Sequence, residues 1–198
     1  MKIVGISCSP RKGKSTFYAL ETCLQAAKEA VPGIETTLIE LSETKMNGCV
    51  ACGKCVKVLE CSQEDDFPKM IPVLSDPELA GLVVATPVYL GSMTSQCKAF
   101  LDRCVMFRRN GFLLRDKVGG VIAVGGVRNG GQELTIQAVQ AAMLVQDMVV
   151  VSEGRPTSHY GATLWSGHPD GIEKDAFGLE TARNLGKRVV EVATKMNR

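Results

Sequence analysis

No apolar run in this 198-residue sequence approaches the length needed to cross a bilayer. The opening "MKIVGISCSPRKGKST" has no long apolar core of the kind a secretory signal needs. An excess of one charge is missing too: 23 Lys and Arg stand against 21 Asp and Glu, a formal net charge of +2, so nothing points to nucleic acid or an anionic membrane. Neither an internal repeat nor a low-complexity linker interrupts the chain, and its length suits one well-cored domain over residues 1–198. A cytoplasmic location follows as an expectation. Eight cysteines in a reducing compartment favour metal or redox chemistry over structural disulfides.

What is present alternates between strand and helix. Short apolar, β-branched runs at 2–9, 34–41, 81–88, 117–126 and 148–154 read as five strands. Helical spacing follows at about 14–30, 94–108, 132–146 and 173–196. Nearly continuous apolar strands imply a sheet buried on both faces, hence parallel strands joined by helical crossovers. The expected fold is α/β, a three-layer doubly wound sheet of five parallel strands, flavodoxin-like, with a cysteine-rich insertion after strand two. About forty residues separate strands two and three, more than one helix and two loops require. Within them "DDFPKMIPVLSDPELA" predicts a short irregular helix, with Asp66 or a neighbour as cap, Pro68 in the first turn and Pro72 ending or bending it.

In such a fold ligands sit beyond the carboxyl ends of the strands. Three loops leave the sheet there. After strand one, "SCSPRKGKST" offers small residues (Ser7, Ser9, Gly13), hydroxyls (Ser15, Thr16), charge (Arg11, Lys14) and a helix N-terminus, a combination suited to a phosphate monoester. A nucleotide-hydrolase P-loop matches less well, because Cys8 occupies its first glycine position and strand three ends in Thr86 and Pro87, with no acid for magnesium. An ordinary glycine-containing turn with solvated lysines is the remaining alternative. After strand three comes "TPVYLGSMTSQ", where Tyr89 could flank a planar ring or be a plain half-buried tyrosine. After strand four comes "GGVRNGGQE", whose glycines would let backbone lie beside such a ring.

Four cysteines crowd into thirteen positions as C-x2-C-x2-C-x5-C: Cys49, Cys52, Cys55 and Cys61. The first three have the tight spacing by which thiolates wrap an iron–sulfur cube. Structural zinc sites more often use two separated C-x2-C pairs, and zinc and free thiols stay as alternatives. Cys23, Cys97 and Cys104 fall in helical stretches and read as small core residues; Cys8 beside the first loop reads the same way. His159 and His168 are the sole histidines. His159 could border a ligand or serve a structural hydrogen bond. The pair Arg108 and Arg109 suits a helix C-terminus and could also meet an acidic partner.

"SPRKGKS", "TPVYLGSMTSQCKAFLDR", "GGVRNGGQELTIQ" and "HYGATLW", the last placed after strand five, resemble the NADPH-dependent FMN reductase superfamily, and within it the iron–sulfur flavoproteins. The resemblance covers essentially the whole chain. It implies bound FMN and one [4Fe–4S] cluster, held by Cys49, Cys52, Cys55 and Cys61. It also implies that Ser9, Arg11, Gly13, Lys14, Ser15 and Thr16 hold the FMN phosphate. Pro87, Val88, Tyr89, Leu90 and Gly91 would line one side of the ring, with Gly126, Arg128, Asn129 and Gly130 on the other. Expected partners are a ferredoxin-like electron donor and a small acceptor such as a quinone, dioxygen or peroxide. A homodimer or homotetramer is implied, with each cluster near a partner's FMN. No acid–base catalytic side chain stands out. Two other functions remain open: an NAD(P)H-dependent FMN or quinone reductase with a structural metal loop, and a non-catalytic redox or metal sensor.

Overall fold

The computed structural model describes residues 1–197. Strand β1 (Lys2–Ser7) pairs in parallel with β2 (Glu35–Glu40) on one side and β3 (Leu79–Pro87) on the other. Beyond β3 lies β4 (Val118–Gly125) and then the short β5 (Val149–Val150), giving the order β2-β1-β3-β4-β5. Every residue of β3 and β4 is buried, as their unbroken apolar text requires of central parallel strands. Successive residues of β1 face opposite cores: Ile3 meets α1 (Ser15–Ala30) and α6 (Ala176–Met196), while Val4 and Ile6 meet the other layer. That second layer holds α2 (Ile71–Leu74), α3 (Ser95–Arg103), α4 (Val105–Arg109) and α5 (Gln132–Val145). α1 and α6 approach closely because residue 186 is glycine, where a Cβ would collide with the Cys23 carbonyl. Cys23 itself is fully buried at that crossing.

The fifth strand departs from expectation. Only Val149–Val150 (β5) pairs with the start of β4; the chain then leaves the sheet and returns as β6 (Ala162–Trp165), pairing with the end of β4. Two short strands thus share one edge end to end. The Val151 N–H still donates to the Gly119 carbonyl at 2.9 Å, but the chain then leaves the ladder, where Gly154 adopts a φ of +74° and Pro156 has no N–H to donate. "ATLW", expected after the fifth strand, is therefore its second half.

The long segment after β2 packs on the α3–α4 side. A single 3-10 turn, Lys54–Val56, sits inside the cysteine motif. A second, Phe67–Met70, runs directly into α2, with Pro68 and Pro72 each in a first turn. Asp65, rather than Asp66, accepts the Phe67 N–H at 3.1 Å. Buried Phe67 against Phe100, ring centroids 6.4 Å apart, fastens this segment to the core.

Candidate functional site

β1 ends at Ser7, and the chain turns through residues 8–14 into α1. Ser9 is buried, and its Oγ accepts the Arg11 N–H at 3.1 Å, which curls the turn. Gly13 has a φ of +59° and donates its N–H to Glu40 at the end of β2, at 2.7 Å. No side chain caps α1 at Lys14. The first-turn amides, with half-buried Ser15 and buried Thr16, therefore retain the partial positive charge that attracts an anion. Arg11 and Lys14 are exposed beside them.

Thr94 binds this loop to the next. It caps α3 by accepting the Cys97 N–H at 3.2 Å, and its hydroxyl donates to the Cys8 carbonyl at 2.8 Å. Before it, Pro87 is buried and half-buried Val88 donates to the Val124 carbonyl at 2.9 Å. Tyr89 and Ser92 exchange two backbone hydrogen bonds of 2.8 and 3.1 Å. That tight turn holds Leu90 at φ +49° and Gly91 at φ +74°. Leu90 packs against nothing, being 106% exposed, and Tyr89 is 49% exposed. A strained turn that presents one unpacked leucine beside a half-exposed tyrosine suits contact with a ligand.

The third loop is braced from beneath by Gln132. Its buried amide donates to the Val127 carbonyl and accepts the Gly130 N–H, both at 2.7 Å. At Gly131, φ is +94° and a Cβ would stand 3.3 Å from Gly91 Cα. The second and third loops therefore touch. The Gly126 carbonyl accepts the Trp165 indole N–H at 3.0 Å. Arg128 lies over the Trp165 ring and pairs with buried Asp175. Asn129 is exposed. Thr94, Gln132, Trp165 and Asp175 are supports that sequence reasoning missed. Only Thr94, a threonine directly before a helical stretch, carried a local signal.

The four motif cysteines line one hollow, together with Arg103 and Arg109. Arg103 donates to Cys61 Sγ at 3.1 Å and Arg109 to Cys55 Sγ at 3.3 Å. The Asn110 amide holds the Cys55 carbonyl at 2.9 Å. Hydrogen bonds from Ser62 Oγ, 2.9 Å away, and from the backbone of Lys54 hold the Cys52 thiol below its ordinary pKa. Gly53 (φ +79°) and Ala51 (φ +52°) let the backbone curl around the hollow. Among the described residues, no three Cys, His, Asp or Glu side chains converge on a single ion.

The remaining thiols are core. Cys8, Cys97 and Cys104 are buried in the α3 layer, and burial pushes Cys8 and Cys104 well up and Cys23 to about 12. His159 Nδ1 lies 2.8 Å from the buried Glu153 carboxylate, the structural role it could have had. Arg108 stacks over Phe112 at 5.4 Å, while its neighbour Arg109 reaches the cysteines.

Comparison with known proteins agrees with this geometry. The profile of the NADPH-dependent FMN reductases matches residues 1–163. An iron–sulfur flavoprotein of Methanocaldococcus jannaschii is 42% identical over 192 residues, covering 97% of both chains. One from Methanosarcina thermophila is 38% identical, covering 97% of this chain and 95% of its own. In fold, the chain superposes on a WrbA-like flavodoxin of Agrobacterium tumefaciens with a TM-score of 0.63 at 20% identity, covering 98% and 97% of the two chains. A flavone reductase gives a TM-score of 0.73 at 20% identity; all of this chain is matched, but it spans only 65% of that protein. With three touching loops at one sheet edge and near-complete likeness to these relatives, the chain belongs to the iron–sulfur flavoproteins of the NADPH-dependent FMN reductase family and is a redox flavoprotein, an oxidoreductase.

Proposed function

We propose that the chain takes single electrons from a ferredoxin-like carrier through a [4Fe–4S] cluster and passes them by way of FMN to a small oxidant such as a quinone, dioxygen or peroxide. The carrying observation is that Cys49, Cys52, Cys55 and Cys61 line one hollow. Two of these sulfurs already receive guanidinium hydrogen bonds, as a group of net negative charge would need. An iron–sulfur cluster exchanges one electron at a time, while FMN can hold one or two.

The rest falls to the chain's own residues. Ser9, Arg11, Gly13, Lys14, Ser15 and Thr16 bind the FMN phosphate, through an α1 N-terminus that no side chain caps. Pro87, Val88, Tyr89, Leu90 and Gly91 cover one side of the ring, and the exposed Leu90 gains there the packing it otherwise lacks. Gly126, Arg128, Asn129 and Gly130 face the other side, on a loop braced by Gln132. Cys49, Cys52, Cys55 and Cys61 supply one thiolate each to the cluster.

Metal and flavin analysis of anaerobically prepared protein tests this reading. About four irons per chain with bound FMN is the expected result. Cys52→Ser is expected to lose iron and keep FMN, because its loop follows β2 and the flavin loops follow β1, β3 and β4. Zinc in place of iron would overturn the cluster. The family match to NADPH-dependent reductases favours one second reading, direct reduction of FMN by NADPH with the metal loop structural. Equal NADPH-driven turnover in wild type and Cys52→Ser would select it.

A further inference from the structure

We infer that Arg103 and Arg109 are positioning residues for the cluster: Arg103 anchors its cysteine loop, and both favour its more reduced, more negative state. The inference rests on the cluster reading above. Arg103, the last residue of α3, has a side chain 1% exposed. Its guanidinium forms a fork with Asp65 at 2.7 and 3.0 Å, donates to the Asn47 carbonyl at 2.9 Å and reaches Cys61 Sγ at 3.1 Å. It also lies over the Phe67 ring, 4.5 Å from the centroid. Asn47 precedes the motif and Cys61 closes it. One side chain therefore gathers both ends of the loop onto the core.

A loop tie alone does not call for a buried charge. Apolar replacements of buried ion pairs are often as stable or more so. Two further observations set these arginines beside the cysteine hollow. Arg103 Nε is the one buried side-chain nitrogen without a hydrogen-bond partner among the described residues, and Arg103 lines the same hollow as the four cysteines. Arg109 takes no part in closing the loop and makes no ion pair with an acidic side chain among the described residues, yet its Nη1 lies 3.3 Å from Cys55 Sγ. Two cations thus approach two different thiol ligands from one helical layer.

The electrostatic consequence has a definite sign. Reduction adds one electron to a group already surrounded by four thiolates; no bond forms or breaks, and the donor carrier is oxidised by one electron. A nearby guanidinium lowers the energy of the more negative state by more than that of the oxidised one. Asp65 offsets much of the Arg103 charge, although the Arg103 N–H still points at Cys61. Although burial opposes it, the Arg103 guanidinium holds the Asp65 carboxyl below its ordinary pKa, so this pair is charged near neutrality. Arg109, unpaired, carries the larger share of the effect on potential.

The test is an EPR-monitored redox titration of the holoprotein with dithionite, alongside iron and FMN per chain. Arg109→Gln is expected to keep both cofactors and, because Arg109 is exposed and solvent screens its charge, to show a reduced-to-oxidised cluster ratio about threefold lower at fixed potential, a midpoint about 28 mV more negative for a one-electron couple. Arg108→Gln is the control, since Arg108 stacks on Phe112 and touches no sulfur. Arg103→Gln is expected to lose most of its iron, and Arg103→Lys to recover part of it. An Arg109→Gln midpoint equal to that of wild type or of Arg108→Gln overturns the electrostatic role. Full iron in Arg103→Gln overturns the anchoring role; should that variant not fold, full iron in Arg103→Lys does so, because lysine cannot form the fork. A wild-type chain that takes up no iron refutes the underlying cluster reading, whereas an iron-loaded chain with unmoved midpoints refutes this inference alone.

Discussion

Asp175→Ala removes one buried carboxylate with three partners in three different elements. Its oxygens accept the Gly178 N–H at the start of α6 at 3.2 Å and the Trp165 backbone N–H at the end of β6 at 2.7 Å, and they pair with Arg128 of the third loop. Losing the helix cap costs about 1 kcal/mol. Leaving the partly buried Trp165 N–H without an acceptor costs about 1–2 kcal/mol. The ion pair adds at most about 1 kcal/mol, because Arg128 is 40% exposed and solvent screens it. Together these give about 3 kcal/mol, a large share of the roughly 5–15 kcal/mol that holds a domain folded. Urea unfolding should show the midpoint falling with an unchanged slope. Asp175→Asn keeps one acceptor oxygen and should lose about half as much, by the same hydrogen-bond scale. The freed third loop should also bind FMN more weakly, read by flavin fluorescence on titrating apoprotein. Destabilisation by Asp175→Ala of less than about 0.5 kcal/mol, the range of an ordinary surface change, would refute this account.

Gly131→Ala should cost about 1–2 kcal/mol in left-handed backbone strain and push the third loop from Gly91, lowering FMN affinity about tenfold with iron content unchanged. Unaltered affinity in an equilibrium titration would show that the two loops need not touch. Cys52→Ser should lose flavin reduction by reduced ferredoxin and retain it by dithionite; stopped-flow traces identical to wild type with ferredoxin would remove the cluster as entry port. If electrons cross between subunits, verified mixed oligomers of Cys52→Ser with a Ser9/Ser15 variant lacking FMN should regain ferredoxin-driven activity that neither parent has. Inactive mixtures containing both cofactors would confine transfer to single subunits.

The elements that the sequence made legible are those with a local cause. β3 and β4 declared themselves as unbroken apolar runs, and α1 and α6 by their period, because a strand buried on both faces and an amphipathic helix each leave a pattern within ten or twenty residues. Cys23, Cys97 and Cys104 read correctly as core for the same reason. Asp175, Gln132 and Trp165 were not legible, since each acts through partners that only a folded chain brings near. Arg128 shows the limit from the other side: its loop is where sequence reasoning put it, but its guanidinium turns to a carboxylate 47 residues away.

By itself the sequence determined the doubly wound class, the three loops beyond the strand ends and the four-thiol motif, all written in short-range pattern and spacing. Tertiary structure alone decided that the fifth strand splits into β5 and β6, because the free edge of β4 is shared by two segments separated by an excursion through the left-handed Gly154 and through Pro156, which has no N–H to donate. It alone brought Arg103 to Cys61 and Arg109 to Cys55, across 42 and 54 residues of chain. Those contacts depend on which face of the sheet the cysteine loop and the α3–α4 layer share, and that is set by the paths of crossovers far apart in sequence, not by any residue pattern within the loop.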